Sequence, residues 1–216
     1  LYIILTVADI VFLLLGGMPA FEAVCNAFGT AGTGGFGVRN DSFASYSPYL
    51  QNVTTVFMFL FGVNFSCYYL LLIGQVRSVL KDEELRAYFG IAFVSIALIA
   101  WNIRSLYGTV GETLRHAAFQ VSSIMTTSGF ATTDFDLWPS FSKTILLVLM
   151  VIGASAGSTG GGIKVARVLL LFKSLRRSFL QMLHPSRVQL VRNNDQVVDE
   201  KVVESTNAYL IAYVFI

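Results

Sequence analysis

The chain has 216 residues, 55% hydrophobic and only 13% charged, with a formal net charge of +2. Soluble domains carry about 25% charged residues, so the composition excludes an ordinary soluble domain and describes an integral membrane protein in a lipid bilayer. The two cysteines, Cys25 and Cys67, form no CxxC and sit in apolar stretches, where small buried hydrophobes are expected rather than a disulfide or metal site.

Residues 1–18 are apolar except for Asp9, long enough for most of a spanning helix, which needs about 20 residues. Pro19 starts a second helix with Glu22 in its first turn, where proline and acids are favoured. Residues 19–30 reach only about 18 Å at 1.5 Å per residue, too short to span. They are expected to re-enter and deliver the chain into Gly32-Thr33-Gly34-Gly35-Phe36-Gly37. Arg39, Asn40 and Asp41 mark a water-facing mouth, and no charge follows before Arg77. Residues 52–74 are therefore expected to form a full span.

Residues 77–86 (RSVLKDEELR) form a short charged connection. Residues 87–103 are the next uncharged run, with Trp101 as an interfacial anchor. Gly111-Glu112-Thr113 opens a second short helix, running to about Met125. It delivers Thr126-Thr127-Ser128-Gly129-Phe130-Ala131-Thr132-Thr133-Asp134. Asp134 and Asp136 mark a second mouth, and Trp138-Pro139 starts the next span. Residues 144–163 carry no charge, but their second half, 153–162, reads GASAGSTGGG. Glycine costs a helix about 1 kcal/mol against alanine, so Gly157, Gly160, Gly161 and Gly162 together oppose it by roughly 4 kcal/mol. The span should break there, whereas residues 62–72, without such a run, should stay helical.

Lys164, Arg167, Lys173, Arg176, Arg177, Arg187 and Arg192 follow with no acid before Asp195. Excess Lys/Arg marks the cytoplasmic side. Both mouths lie an odd number of spans away and so face outward. The basic run is also expected to help dock a cytosolic partner. Residues 193–204 read as a polar cytoplasmic loop, and residue 205 onward as a further span. Beginning at Leu1 and ending in an apolar run, the chain reads as a piece of a longer protein, cut within a span at each end.

Two stretches share a register. Gly35 matches Gly129, and at the same offset Ala23 meets Ala117, Thr33 meets Thr127, Phe36 meets Phe130 and Asn40 meets Asp134. The unit is span, short helix, Gly/Thr loop, span, as in an ion-channel pore loop. The expected fold is all-α integral membrane, with tandem repeats of this unit around a pseudo-fourfold pore. Residues 1–76 form one repeat, 77–86 a connection, 87–177 a second repeat with its broken segment at 153–162, 178–204 a loop, and 205–216 the next span.

Irregular backbone is tolerated at membrane depth only where it lines a watery path or is buried in protein. Two copies at matching places point to one shared path. A cation filter offers carbonyl oxygens in place of hydration water, an arrangement that L-residues resist and glycine permits. Gly35 and Gly129 fit, with Thr33, Gly34, Thr127 and Ser128 beside them. The short helices aim their partly negative C-terminal ends at the path, and Asp41, Asp134 and Asp136 gather cations at the mouth. For one loop alone, ordinary Gly/Thr turns are the competing reading; the shared register weighs against it for both.

Gly32-x-Gly34-x-x-Gly37 matches a dinucleotide fingerprint but lacks the strand before it. Residues 157–164 (GSTGGGIK) depart from a phosphate loop by Ile163 and by lacking Ser/Thr after Lys164. Asp9 is the one acid inside a span and reads as paired or near the inner interface rather than in the ion path. Arg115 and His116 read as a solvated helix face. No nucleophile, base or metal cluster lies at depth, so an enzyme is not expected.

At these residues the chain resembles the Trk/Ktr/HKT superfamily of potassium transporters, specifically its TrkH/KtrB-type membrane subunit. The matching pieces are Thr33-Gly34-Gly35-Phe36, residues 127–134, Gly62-Val63-Asn64-Phe65 and, most specific, Gly157-Ser158-Thr159-Gly160-Gly161-Gly162-Ile163-Lys164. The resemblance implies four repeats around one pore, this piece holding repeats two and three and the first span of repeat four. It implies that Gly35 and Gly129 are filter glycines and that residues 157–162, with Lys164, form an intramembrane gate. It further implies potassium as the transported ion, no organic cofactor and a homodimer in the inner (plasma) membrane. A cytosolic nucleotide-binding ring of the TrkA/KtrA kind would regulate it, and no nucleic-acid partner is expected. Glycine rather than serine at both filters favours potassium. The alternatives are a Na+/K+-coupled secondary transporter with discontinuous helices, which usually has inverted repeats, and a two-repeat cation channel that dimerises.

Overall fold

The computed structural model describes residues 1–183, 190–194 and 196–215. Arg187, one member of the basic run, lies outside the described residues. Apart from a two-residue antiparallel pairing of Arg192–Asn193 (β1) with Gln196–Val197 (β2), the regular structure is helical.

Helix α1 (Tyr2–Leu15) ends where Gly17 turns to φ 82° and Met18 donates back to the Leu13 carbonyl. Pro19 caps α2 (Ala20–Ala31), with Glu22 in its first turn. After an irregular mouth, Ser47 caps α3 (Pro48–Phe61), accepting from the Leu50 amide with Pro48 in the first turn. Helices α4 (Phe65–Leu72) and α5 (Val76–Lys81) lead to α6 (Glu83–Ile103), which Asp82 caps at 2.7 Å from Leu85 N. Thr109 caps α7 (Val110–Met125). A single 3-10 turn, Phe135–Leu137, precedes α8 (Ser140–Val151). Helices α9 (Val165–Leu183) and α10 (Glu200–Phe215) complete the chain.

The order α1–α2–loop–α3 thus recurs as α6–α7–loop–α8. Helices α1, α2 and α3 pack on one another, α6 packs on α7 and α8, and α3 meets α7 between the two groups. Phe43 knits the groups together; it is fully buried, with its ring 4.9 Å from Phe130 and 5.6 Å from Phe119. Helix α6 is long and apolar enough to cross a membrane by itself, while α1 and α8 are shorter apolar helices.

Residues 52–74 do not form the straight span expected from their lack of charge. Helices α3 and α4 pass the membrane-length test together, but they meet at 89°. The break falls at Gly62-Val63-Asn64, so the expected continuous helix over 62–72 is also corrected. Two local features produce it. Asn64 caps the new helix by accepting from Ser66 N at 2.9 Å. Gly62 is pressed against its neighbours, so that a Cβ there would meet the Tyr88 hydroxyl and lie 2.8 Å from Thr126 Cγ2. A helix end leaves its last carbonyls short of intrahelical donors; here Gly62 N and Val63 N reach Phe59 O and Leu60 O, and other elements add donors. Tyr88 Oη donates to Phe59 O (3.1 Å) and Tyr68 Oη to Leu60 O (2.6 Å). Thr159 Oγ1 donates to Phe61 O (3.3 Å) and Ser155 N to Gly62 O (3.0 Å).

Two boundaries also shift. Helix α9 runs past residue 177 to Leu183, and α10 starts at Glu200 rather than within the expected span at 205. The basic run is partly neutralised by acids from other elements. Lys173 pairs with Glu83, Arg177 makes a two-pronged pair with Glu200 at 2.6 and 2.7 Å, and Arg167 covers the Tyr209 ring at 4.1 Å.

Tyr88 is fully buried. Tyr88→Phe removes one of two donors to the Phe59 carbonyl, the other being Gly62 N, which should cost about 0.5–1.5 kcal/mol and lower the melting temperature in detergent. Gly62→Ala should be more damaging, and Tyr88→Phe in that background should recover part of the loss by removing the clashing hydroxyl. Independent, additive losses would show that the two residues do not meet.

Candidate ion pathway

The two Gly/Thr loops share one backbone design. Left-handed φ values occur at Thr33 (51°) and Gly35 (67°), and at the matching Thr127 (60°) and Gly129 (81°). The amides of each loop turn back into the helix before it. Thr33 N donates to Thr30 O and Gly34 N to Gly29 O; Thr127 N donates to Ile124 O, and Ser128 N and Gly129 N both donate to Ser123 O. With those donors engaged, the carbonyls of Thr33, Gly34, Gly35, Thr127, Ser128 and Gly129 accept no hydrogen bond among the described residues.

The loops touch. A Cβ on Gly35 would strike the Ser128 carbonyl oxygen and lie 3.2 Å from Gly129 Cα. Only glycine fits this approach at that φ. Buried side chains hold the second loop from behind: Ser123 Oγ donates to Phe130 O (2.5 Å), and the Thr126 and Ser128 hydroxyls bond at 2.9 Å. Phe130 is fully buried, whereas Phe36 at the matching place is 85% exposed.

His116 corrects an expectation. It is buried rather than part of a solvated face, with Nδ1 2.9 Å from Thr132 Oγ1 and its ring stacked on Tyr107 at 4.9 Å. It therefore supports the second loop. Arg115 is half-buried, and its Nε has no partner among the described residues.

At the first mouth, Glu22 accepts from Tyr46 Oη (2.5 Å) and pairs with Arg39 (3.1 Å), which also covers the Tyr46 ring at 4.3 Å. The following turn reaches the second loop: Phe43 N donates to Ala131 O (2.9 Å), and Ser42 Oγ accepts from Ala131 N (3.1 Å). Asp41 is exposed, and a hydrogen bond from Ser45 holds its carboxyl below the usual carboxylate range. Asp134 and Asp136 are exposed at the second mouth.

Residues 153–164 are unwound, as their glycines predict. Gly153 N donates to Ile163 O (2.8 Å) and Ile163 N to Val151 O (3.2 Å), which close the segment into a loop. Its tip lies against both filter candidates. Thr33 Oγ1 donates to Thr159 O (3.3 Å), and Gly161 N donates to Thr127 Oγ1 (2.7 Å). Lys164 Nζ donates to Gly160 O within the loop. On its other side Phe65 N, just past the α3/α4 break, donates to Gly157 O (3.2 Å). Thr33, Gly34, Gly35, Thr127, Ser128, Gly129 and residues 157–162 with Lys164 are thus brought to one place.

Asp9 sits on α1. It is fully buried on the α1 face that also carries Thr6 and Leu13, and neither carboxylate oxygen has a partner among the described residues. Sequence reasoning missed Glu84. It is buried at the start of α6, and Oε1 accepts from Ala156 N (2.5 Å) and Ala166 N (3.2 Å). Within RSVLKDEELR it looks like one more charge on a solvated connection, and nothing in its spacing separates it from Glu83.

Among known proteins, the family described as TrkH, cation transport protein, matches residues 1–216. The Trk system potassium uptake protein TrkH of Salmonella typhimurium is 34% identical over 100% of this chain and 46% of its own length. The Trk system potassium uptake protein TrkG of Escherichia coli K12 is 32% identical over 98% of this chain and 44% of its own. The crystal structure of the potassium transporter TrkH from Vibrio parahaemolyticus superposes with a TM-score of 0.91 at 32% identity, covering 98% of this chain and 46% of that one. The chain spans about half the length of these relatives. Matched end to end by family, by sequence and by fold, it belongs to the TrkH family of cation transport proteins.

Proposed function

We propose that this chain contributes two of the filter loops and the gate of a potassium-uptake pathway in the inner (plasma) membrane. One observation carries the reading: the amides of Thr33, Gly34, Thr127, Ser128 and Gly129 turn back into the preceding helices, while six carbonyl oxygens at matching positions have no donor among the described residues. Unpaired carbonyls in a low-dielectric setting are costly. A dehydrated monovalent cation supplies the missing partner and finds in them a substitute for its hydration shell. Helices α2 and α7 end at these loops and add the partly negative ends of their dipoles. The exposed Asp41, Asp134 and Asp136 raise the local cation concentration at the mouth.

The gate reading rests on the tip of the 153–164 loop. Its backbone bonds to the hydroxyls of Thr33 and Thr127 set it under both filter loops at once. Permeation then requires the tip to leave. The relatives' names carry the ion: they are potassium uptake proteins, and this chain offers glycine at both filter positions.

The contrast between Phe130 and Phe36 supports further repeats around the same axis. Phe130 is covered by the unit before it, including Gly29, where a Cβ would lie 2.9 Å from the Phe130 ring. Phe36 awaits an equivalent unit. A first repeat over 1–76, a second from 87 through α9, a homodimer and a cytosolic nucleotide-binding ring complete the reading, on the strength of the family.

Gly129→Ala should lower the ratio of rubidium to sodium flux, because alanine disfavours φ 81° by roughly 1–2 kcal/mol. Gly35→Ala should be worse, since its Cβ also strikes the Ser128 carbonyl. An unchanged flux ratio in normally expressed protein would remove both residues from the filter.

Deleting residues 158–161 should raise flux and uncouple it from regulation while selectivity is kept, since both filter loops remain intact. If well-folded deletion protein shows wild-type flux and regulation, the loop is a fixed kink and the gate lies elsewhere.

A further inference from the structure

Three successive acids open α6, and each engages a different element. Asp82 caps the helix and also accepts from Asn194 Nδ2 at 2.9 Å. Glu83 pairs with Lys173 of α9, and its amide donates to Asn194 Oδ1 at 2.9 Å. Lys173 in turn donates to Arg192 O of β1 at 2.7 Å. Glu84 alone is buried, 7% exposed, and faces the unwound loop.

Its geometry there is specific. Ala156 lies on the entry stem of the loop and Ala166 in the first turn of α9, on the exit stem. One oxygen, Glu84 Oε1, accepts from the backbone amides of both. The amide at Ala166 belongs to a helix N-terminus and has no intrahelical acceptor. Bonds from amides to a carboxylate are stronger than neutral ones. The carboxylate therefore closes the base of a loop whose tip lies on Thr33 and Thr127, from an element that belongs to neither stem.

We propose that Glu84 is a clasp, a positioning residue that holds the two stems of the 153–164 loop together in its blocking position. Asp82 and Glu83 make this clasp the point where movement of the β1–β2 hairpin and α9 reaches the loop. The inference deepens the gate reading and rests on it. The competing role is a plain negative charge that stabilises the N-terminus of α6. The two roles differ in what they demand of the side chain: a clasp needs reach and an acceptor oxygen, whereas a dipole partner needs only charge.

The test uses the full chain with Cys25 and Cys67 replaced by serine and a reporter thiol at Ser158. Thiol labelling rate and rubidium flux are read together in reconstituted vesicles. Glu84→Asp keeps the charge but falls short of the stems. It should raise both labelling and basal flux roughly tenfold, the scale of one lost charge-assisted hydrogen bond, with the rubidium-to-sodium ratio unchanged. Glu84→Gln keeps a neutral acceptor oxygen at full reach and should loosen the loop less than Asp does. Asn194→Ala should shift both readouts less and add nothing in the Glu84→Asp background. Labelling at the wild-type rate in folded Glu84→Asp, or loosening by Gln but not by Asp, overturns the clasp. Labelling that rises without flux upholds the clasp and sinks the gate reading instead, so the two failures are distinguishable.

Discussion

Backbone that leaves regular structure at membrane depth must find partners inside the protein. Among the described residues the chain leaves it at the two Gly/Thr loops, the α3/α4 break and the 153–164 loop. The last two solve each other's problem. The carbonyls stranded at the end of α3 take donors from Ser155 and Thr159 of the loop, and a loop carbonyl takes the amide of Phe65 just beyond the break. Tyr68 and Tyr88 add second donors to the Leu60 and Phe59 carbonyls from outside the pair.

The two Gly/Thr loops follow the same constraint to a different end. Five of the six amides at their matching positions are taken by the helices that deliver them, and the six carbonyls are left over among the described residues. In a merely structural turn both sides of the backbone would be paired. The leftover oxygens, the left-handed φ values at Thr33, Gly35, Thr127 and Gly129, and the contact between Gly35 and Gly129 form one arrangement seen from two repeats. The turn at Ser42 and Phe43 ties the two repeated units together on one side of the loops, and the 153–164 loop ties them on the other.

Much of this was legible in the sequence, for physical reasons. Glycine and threonine at a fixed offset mark the loops because few residues tolerate the backbone they need. The run from Gly153 to Gly162 declares its own break through helix propensity. Pro19 with Glu22, and Gly111-Glu112-Thr113, mark the helix starts. The α3/α4 break was not legible because one glycine is a weak breaker. Its bend depends on Tyr88 and Thr126, which come from other helices, although the Gly62-Val63-Asn64 string with its capping Asn64 was a local signal. His116 was misread for a similar reason: whether a histidine on a short helix meets water depends on Tyr107 and Thr132, which fold over it. Glu84 was invisible because burial distinguishes it from Glu83, and burial is a tertiary property.

The central claim is that the six leftover carbonyls are the ion site. Anomalous scattering from crystals of the full protein grown in rubidium or thallium tests it most directly. The account expects density between the carbonyls of Thr33, Gly34 and Gly35 and those of Thr127, Ser128 and Gly129, above the tip of the 153–164 loop. Ion density confined to another place, such as the buried Asp9 carboxylate, with none at these carbonyls, would contradict it.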